Sequence, residues 1–429
     1  MDNKYFISIF LDTRRELKNG KYPVKLRVYT SSPKKQKLYS TVFEYSEKDF
    51  QSIWATVKTR NDYKQAKAEL QAVEAKANLT AKELTPFTFE QFEKKLYRKA
   101  GEGENIIYQY GLIIIELKEN EQLGTASTYE LALKSLKEFT AYKKKKEKED
   151  INRLMFSEVT AKWLEDFQKY MTNPPKIEDA PKKRSLTTVS MYLRTLRTVF
   201  NKAIENKEIS AEIYPFGIGK YEFPSVRNVN KAFNKDQLRQ LMDAKPNTQE
   251  QQKAKDFWFF SYTCNGMNIK DIALLKYKDL QVDSLKFFRA KTIRTAKKNL
   301  KEVQVVLTEY AKKIIEKYGN EDKSAHNLIC PILSEKNGAE ANHKAIKNFT
   351  KSINQNLKTL AINNGLTSEV STYWARHSFA TNAIRNNASM EFVSEALGHT
   401  DLKTTQSYFA GFEDENKKEV MENLMDFSR

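Results

Sequence analysis

The chain has 429 residues, more than one ordinary hydrophobic core holds, so two or three domains are expected and three is our reading. Its 73 Lys and Arg residues against 55 Asp and Glu give a net charge of +18 spread along the whole length, which points to a polyanion partner, nucleic acid first. Two cysteines without a C-x-x-C pattern and four histidines without i, i+4 pairing argue against a disulfide framework or a zinc site, and neither a metal nor a cofactor is expected.

The N-terminal apolar run ending at Leu11 has no basic flank before it and no small-residue cleavage site after it. No window approaches the roughly 18 apolar residues that a membrane span requires, so a cytoplasmic protein without a membrane partner is expected. Tyr5 to Leu11 reads as a strand, and Asn19-Gly20 marks a turn. Val24, Leu26 and Val28 then alternate with Lys25 and Arg27, which places the two basic residues on the opposite face. A third strand is expected over Lys37 to Phe43, and charged helix over 47–80. The first sixty residues hold thirteen basic and six acidic side chains, so residues 1–95 form a candidate DNA-binding module with Lys25 and Arg27 as contacts.

After the Gly101-Glu-Gly103 break, residues 104–215 read as a helical bundle. Ser127-x-x-Glu130 is a capping-box pattern at the start of a helix carrying Tyr129, Ala132, Leu133, Leu136 and Phe139. A second helix carries Val159, Trp163, Phe167 and Met171, and a third carries Val189 through Ile204. Arg194 and Arg197 lie one turn apart and off the apolar stripe of the third helix, with Lys182, Lys183 and Arg184 upstream. Lys183, Arg184, Arg194 and Arg197 are the candidate phosphate contacts. Pro215, Gly217, Gly219 and Pro224 place an interdomain linker at about 215–232.

Residues 232–429 read as a mainly helical domain with a small sheet. Asn234-x-x-Gln237 caps its first helix, and strands are expected over 284–290 and at Val303, Val305 and Leu307. Near the end stands Tyr373-x-x-Arg376-His377, then Leu397-Gly398-His399-Thr400, and Tyr408 nine residues after His399. Arg376 offers a rigid, permanently charged fork for phosphate oxygens, His399 a proton or hydrogen bond, and Tyr408 a phenol that can attack. Gly398 fits a helix C′ position and Thr400 the next N-cap. Val420, Leu424 and Phe427 suggest a final amphipathic helix, docked within the chain or on a neighbouring protomer.

These three ordered elements resemble the active-site core of the tyrosine recombinases, the phage integrase family. The resemblance implies an α+β multidomain fold with a sheet-and-helix arm-binding module, a helical core-binding domain and a mainly α catalytic domain. It implies DNA cutting and rejoining through a 3′-phosphotyrosyl link, with Tyr408 as nucleophile and Arg376, His399 and Tyr373 as transition-state donors. Lys291 matches the family's hairpin lysine and would serve as general acid. The double-stranded DNA partner, a homo-tetramer on DNA and an accessory DNA-bending protein follow from the same resemblance. One position departs: where the family carries a first arginine, this chain has Asn268 within Gly266-Met267-Asn268-x-x-Asp271. Arg289 and Arg294 are the candidate compensating cations. The alternative is an architectural or regulatory DNA-binding protein whose chemistry was lost with that arginine.

Overall fold

The computed structural model describes residues 5–56, 60–84, 86–97, 101–175, 182–224, 231–293, 300–334, 336–409, 411, 417–418 and 421–422. Two compact units emerge, one over Met1–Glu116 and Ala126–Pro224, the other over Leu117–Thr125 and Ser225–Arg429. Among the described residues, no helix is long and apolar enough to cross a membrane.

In the first unit, β1 (Tyr5–Leu11), β2 (Tyr22–Ser31) and β3 (Lys34–Tyr45) form an antiparallel sheet in chain order. The two-residue period of β2 has its expected effect. Val24, Leu26 and Val28 are buried, pairing with Leu11, Ile9 and Ile7, while Lys25 and Arg27 lie on the other face. The inward side chains pack on Ile53, Leu70, Ala77 and Phe92, the larger of these contributing about 1.5–3 kcal/mol each relative to exposure. Helices α1 (Glu47–Phe50), α2 (Lys64–Lys82) and α3 (Phe89–Leu96) complete the module.

Helices α4 (Ile106–Glu119), α5 (Leu123–Lys144), α6 (Ala161–Thr172) and α7 (Leu186–Glu205) follow. The expected start of α5 at Ser127 is one turn late. Its apolar stripe already includes buried Ala126, and the helix extends back through Gly124 to Leu123. Sequence does not separate α4 from its surroundings, since its run of apolar residues shows little helical contrast. Phe139 contacts Trp163, Phe167 and Tyr170 at ring-centroid distances of 4.8, 5.5 and 5.2 Å, joining α5 to α6. Residues 214–223, mostly expected as linker, instead pack on the bundle: Phe216 meets Phe200 edge-on at 5.8 Å, and Tyr221 Oη donates to Gln168 Oε1 at 2.6 Å. Aromatic burial outweighs the turn-forming tendency of the prolines and glycines there.

The second unit contains α8 (Lys235–Asp243), α9 (Gln249–Thr263), α10 (Ile269–Leu274), β4 (Ser284–Phe288), β5 (Glu302–Val306), α11 (Glu309–Tyr318), α12 (Ala339–Asn363), α13 (Thr372–Arg385), α14 (Met390–Ala396) and α15 (Leu402–Gln406). Asn234 and Gln237 form the expected capping box on α8, each side chain accepting from the other's backbone N–H. Strands β4 and β5 pair antiparallel, with Leu285 opposite Val305 and Phe287 opposite Val303. Helix α9 is the central element, packing on α11, α12 and α13 through a core that includes Phe257, Trp258 and Phe260. Val420, Leu424 and Phe427 lie outside the described residues.

Candidate active site

The start of α13 is fixed from two sides. Trp258 Nε1 donates to Ser371 O at 3.0 Å, and the Thr372 amide donates to Asn354 Oδ1 at 2.8 Å. One turn of helix then separates Tyr373, which is 45% exposed, from Arg376, which is 3% exposed. The Arg376 guanidinium donates to Gly266 O at 3.1 Å, Leu397 O at 2.6 Å and His399 Nε2 at 3.0 Å. A guanidinium only donates, so His399 Nε2 is the acceptor; its proton is on Nδ1, which donates to Thr405 Oγ1 at 2.9 Å. Burial, reinforced by the charges of Arg376, Arg289 and Lys291, pushes His399 down to about 3, so the imidazole is neutral at physiological pH.

His399 reaches this position because α14 ends in a Schellman motif. Gly398 has φ +62°, its N–H bonds Glu395 O, and the His399 N–H bonds Ser394 O at 2.9 Å. Helix α15 is capped by Asp401, whose carboxylate accepts from the Lys403 amide at 3.0 Å. The expected cap, Thr400, is thus one residue early, because it is Asp401 whose side chain reaches an unpaired amide of the first turn. Tyr408 follows α15, with its amide bonded to Thr405 O. Its phenol oxygen accepts from Tyr373 Oη at 2.8 Å. Burial, then this bond, holds the Tyr373 phenol well above its ordinary range. The Arg376 guanidinium lies 5.5 Å from the centre of the Tyr408 ring.

A second guanidinium enters from the end of β4. Arg289, 7% exposed, donates to Gly398 O at 3.3 Å. Burial, then the charge of Arg289, brings Arg376 down to about 10, still protonated at neutral pH. Asp271 is the nearby carboxylate. Burial raises it, while the Ala290 amide, bonded at 2.9 Å, and Arg289, Arg376 and Asn268 act in the opposite direction. Asn268 itself is the N-cap residue of α10, with its side chain turned to Asp271. Even with Asp271 ionised, two guanidinium groups leave a positive excess, and the buried Nε atoms of Arg289 and Arg376 have no hydrogen-bond partner. Leaving such donors unpaired costs about 1–3 kcal/mol or more each, so the pair suits an incoming anion.

The structure therefore brings together Tyr373, Arg376, His399, Tyr408 and Arg289, with Asn268 beside them. Lys291 is exposed, in the turn after β4, close enough for its charge to act on His399. Arg294 lies outside the described residues. Thr405, the partner of His399 Nδ1, escapes the sequence reading; its only signal is a place on the short helix that follows the His399 turn.

Gly266 shows how tightly the site is assembled. It has φ +63°, and a Cβ there would stand 2.6 Å from Arg376 Cα. Gly266→Ala is expected to destabilise this unit by roughly 2–4 kcal/mol, from the left-handed backbone and the overpacking together. Denaturant unfolding checks this, and a loss below about 0.5 kcal/mol would show that the turn relaxes freely.

The DNA-contact candidates lie on the first unit. Lys25 Nζ donates to Ser40 Oγ at 2.8 Å, and Arg27 Nε to Ser8 Oγ at 3.2 Å, both on the outer sheet face. Lys183 and Arg184 are exposed before α7. Arg194 and Arg197 are exposed on α7 and share one ring, that of Phe223, at 5.8 and 4.9 Å.

Comparison with known proteins adds an independent finding. The Phage integrase family model matches residues 231–415, the Phage integrase SAM-like domain 105–223, and the Arm DNA-binding domain 9–93. Tyrosine recombinase XerD of Oceanobacillus iheyensis is 26% identical over 230 residues, covering 52% of this chain and 71% of the relative. Tyrosine recombinase XerC of Halalkalibacterium halodurans is 24% identical over 304 residues, covering 69% and 90%. Among solved structures, the Tn1549 transposon integrase in complex with transposon right-end DNA aligns with TM-score 0.48 and 13% identity, over 75% of this chain and 99% of that one.

Proposed function

We propose that this chain, a tyrosine-type site-specific recombinase of the phage integrase family, cuts and rejoins double-stranded DNA through a 3′-phosphotyrosyl intermediate on Tyr408. The observation that carries the mechanism is the placement of the Tyr408 phenol, bonded to Tyr373 at 2.8 Å, beside two buried guanidinium groups with unpaired donors. Tyr408 Oη attacks the backbone phosphorus, and the bond to the 5′ oxygen breaks. The phenolic proton passes to water while Lys291 delivers one to the 5′ oxygen, so the step is balanced in protons. Charge collects on the non-bridging oxygens, where Arg376 and Arg289 stabilise it. Tyr373 donates to the nucleophilic oxygen and holds it in place. Neutral His399 keeps the Arg376 fork in orientation.

In this reading residues 1–95 bind arm sites, 104–215 core sites and 232–429 perform the chemistry, as in an integrase of a mobile element. Strand exchange needs two duplexes and four active sites, hence a homo-tetramer on DNA, with an accessory bending protein where arm and core sites must be brought together. The test is a nicked duplex carrying a site selected from random DNA by binding to the full chain. Wild-type protein should become covalently joined to the 3′ phosphate at the point where it cuts the nicked strand, the short fragment between cut and nick being released with the 5′ hydroxyl. No adduct on a verified binding site would favour the architectural alternative.

Arg194 and Arg197 have no carboxylate partner among the described residues, which suits a phosphate contact. Arg197→Ala is expected to weaken binding about equally on all sequences and to reduce the log–log salt slope by about 0.9, one phosphate's worth. Filter binding at about 50 to 200 mM salt measures this; an unchanged slope removes Arg197 from the interface.

A further inference from the structure

Every fourth residue along one ridge of α13 touches the segment that carries the nucleophile. Tyr373 bonds the Tyr408 phenol oxygen. The His377 ring is stacked on the Tyr408 ring, centroids 4.6 Å apart and planes at 29°, and its Nδ1 lies 3.4 Å from Tyr408 O. Thr381 Oγ1 donates to the same carbonyl at 3.1 Å. Arg385 Nε donates to Gly411 O at 2.9 Å. Residues four apart form a single row on a helix, so 373, 377, 381 and 385 make one continuous track.

We propose that His377, Thr381 and Arg385 are positioning residues that, in line with Tyr373, hold Tyr408 and Gly411 so that the Tyr408 phenol is aimed at the anion-binding arginines. This rests on the reading of Tyr408 as nucleophile and extends it to residues with no part in the chemistry. Tyr408 lies beyond the last turn of α15, and its partly buried ring packs beside Ala380, Ile384, Val393 and Leu397. Apolar contact alone leaves rotation about the segment free. The two side chains at the Tyr408 carbonyl and the stacking of the imidazole remove that freedom. Burial holds His377 below its ordinary range against the raising effect of its bond to Tyr408 O, with Lys231 and Arg376 reinforcing burial. The same helix carries Arg376. One rigid rod thus sets the distance between the nucleophile and its anion receptor, and a misplacement of about 1 Å can cost 10²-fold in rate.

The test uses the full-length chain and two readouts, one of which needs no activity. Thr381→Val and the His377→Ala/Thr381→Val pair are compared with Thr381→Ser. Single-turnover cleavage of the nicked duplex should fall about 10-fold in the first and about 10²-fold in the pair, with DNA affinity unchanged, and Thr381→Ser should restore it. In the free protein, nitration by tetranitromethane should be faster at Tyr408 in both Val-containing variants; Tyr408 is the single tyrosine of the tryptic peptide 404–417. Unchanged nitration and cleavage overturn the proposal. Faster nitration with unchanged cleavage also overturns it, since the track would then hold the tyrosine without aiming it. A cleavage loss accompanied by weaker DNA binding or a lower unfolding temperature, and not rescued by serine, marks a structural role and overturns it as well. If wild-type protein forms no adduct, the recombination mechanism fails, and the nitration rates alone decide whether the track holds Tyr408.

Discussion

Tyr408→Phe is expected to abolish the covalent protein–DNA adduct, lowering cleavage by at least about 10⁴-fold, while binding to the selected site stays within a factor of about two of wild type. The substitution removes one oxygen and its bond with Tyr373. The ring remains, with its contacts to His377 and His399 at 4.6 and 5.1 Å and its packing beside Arg376. Folding should therefore be nearly unaffected, which thermal unfolding verifies. The assay is denaturing gel analysis of a suicide duplex, where an adduct survives because the broken strand cannot rejoin. A persistent adduct in Tyr408→Phe would move the nucleophile elsewhere. Tyr373 is the first alternative, because its oxygen already lies 2.8 Å from that of Tyr408.

Arg289→Ala is expected to lower single-turnover cleavage by about 10²–10³-fold, the scale for loss of one transition-state donor, with little change in affinity. In the proposed mechanism Arg289 supplies the charge that Asn268 lacks. It is almost fully buried, shares Asp271 with Arg376, and has an unpaired Nε. A buried group of this kind can meet only one phosphate, so it adds little to the many-contact binding term. Arg289→Lys should recover part of the rate, since it keeps the charge and loses the planar fork. Arg294→Ala provides the contrast: a backbone contact there would weaken binding and lower its salt dependence without a specific effect on cleavage. A wild-type cleavage rate in Arg289→Ala would exclude the compensation and leave the site with a single working arginine.

Much of this protein is legible in the sequence because it is locally encoded. The alternation of Val24, Leu26 and Val28 determines which face of β2 is buried, and with it the side on which Lys25 and Arg27 emerge. The capping box at Asn234 and Gln237 and the Schellman turn at Gly398 depend on residues within one or two turns, and both form where the pattern predicts. Tyr373, Arg376, His399 and Tyr408 all fall between positions 373 and 408, so helix period and one tight turn nearly suffice to gather them. Local logic says less about 214–223, where glycines and prolines suggest a linker but Phe216 and Tyr221 find buried partners on the bundle.

Only the tertiary structure brings Arg289 to the site. Its bond to Gly398 spans 109 residues, and the bond of Arg376 to Gly266 spans 110. No residue spacing encodes such pairs. They depend on how β5 packs against α14 and how the turn after α9 meets α13, and hence on the side-chain volumes of the whole core. The two glycines mark the result: a Cβ at Gly398 would meet Arg289 Cδ at 2.8 Å, and one at Gly266 would meet the α13 backbone. Local chemistry thus determined which groups gather between positions 373 and 408, whereas close packing between distant segments brought Arg289 beside them.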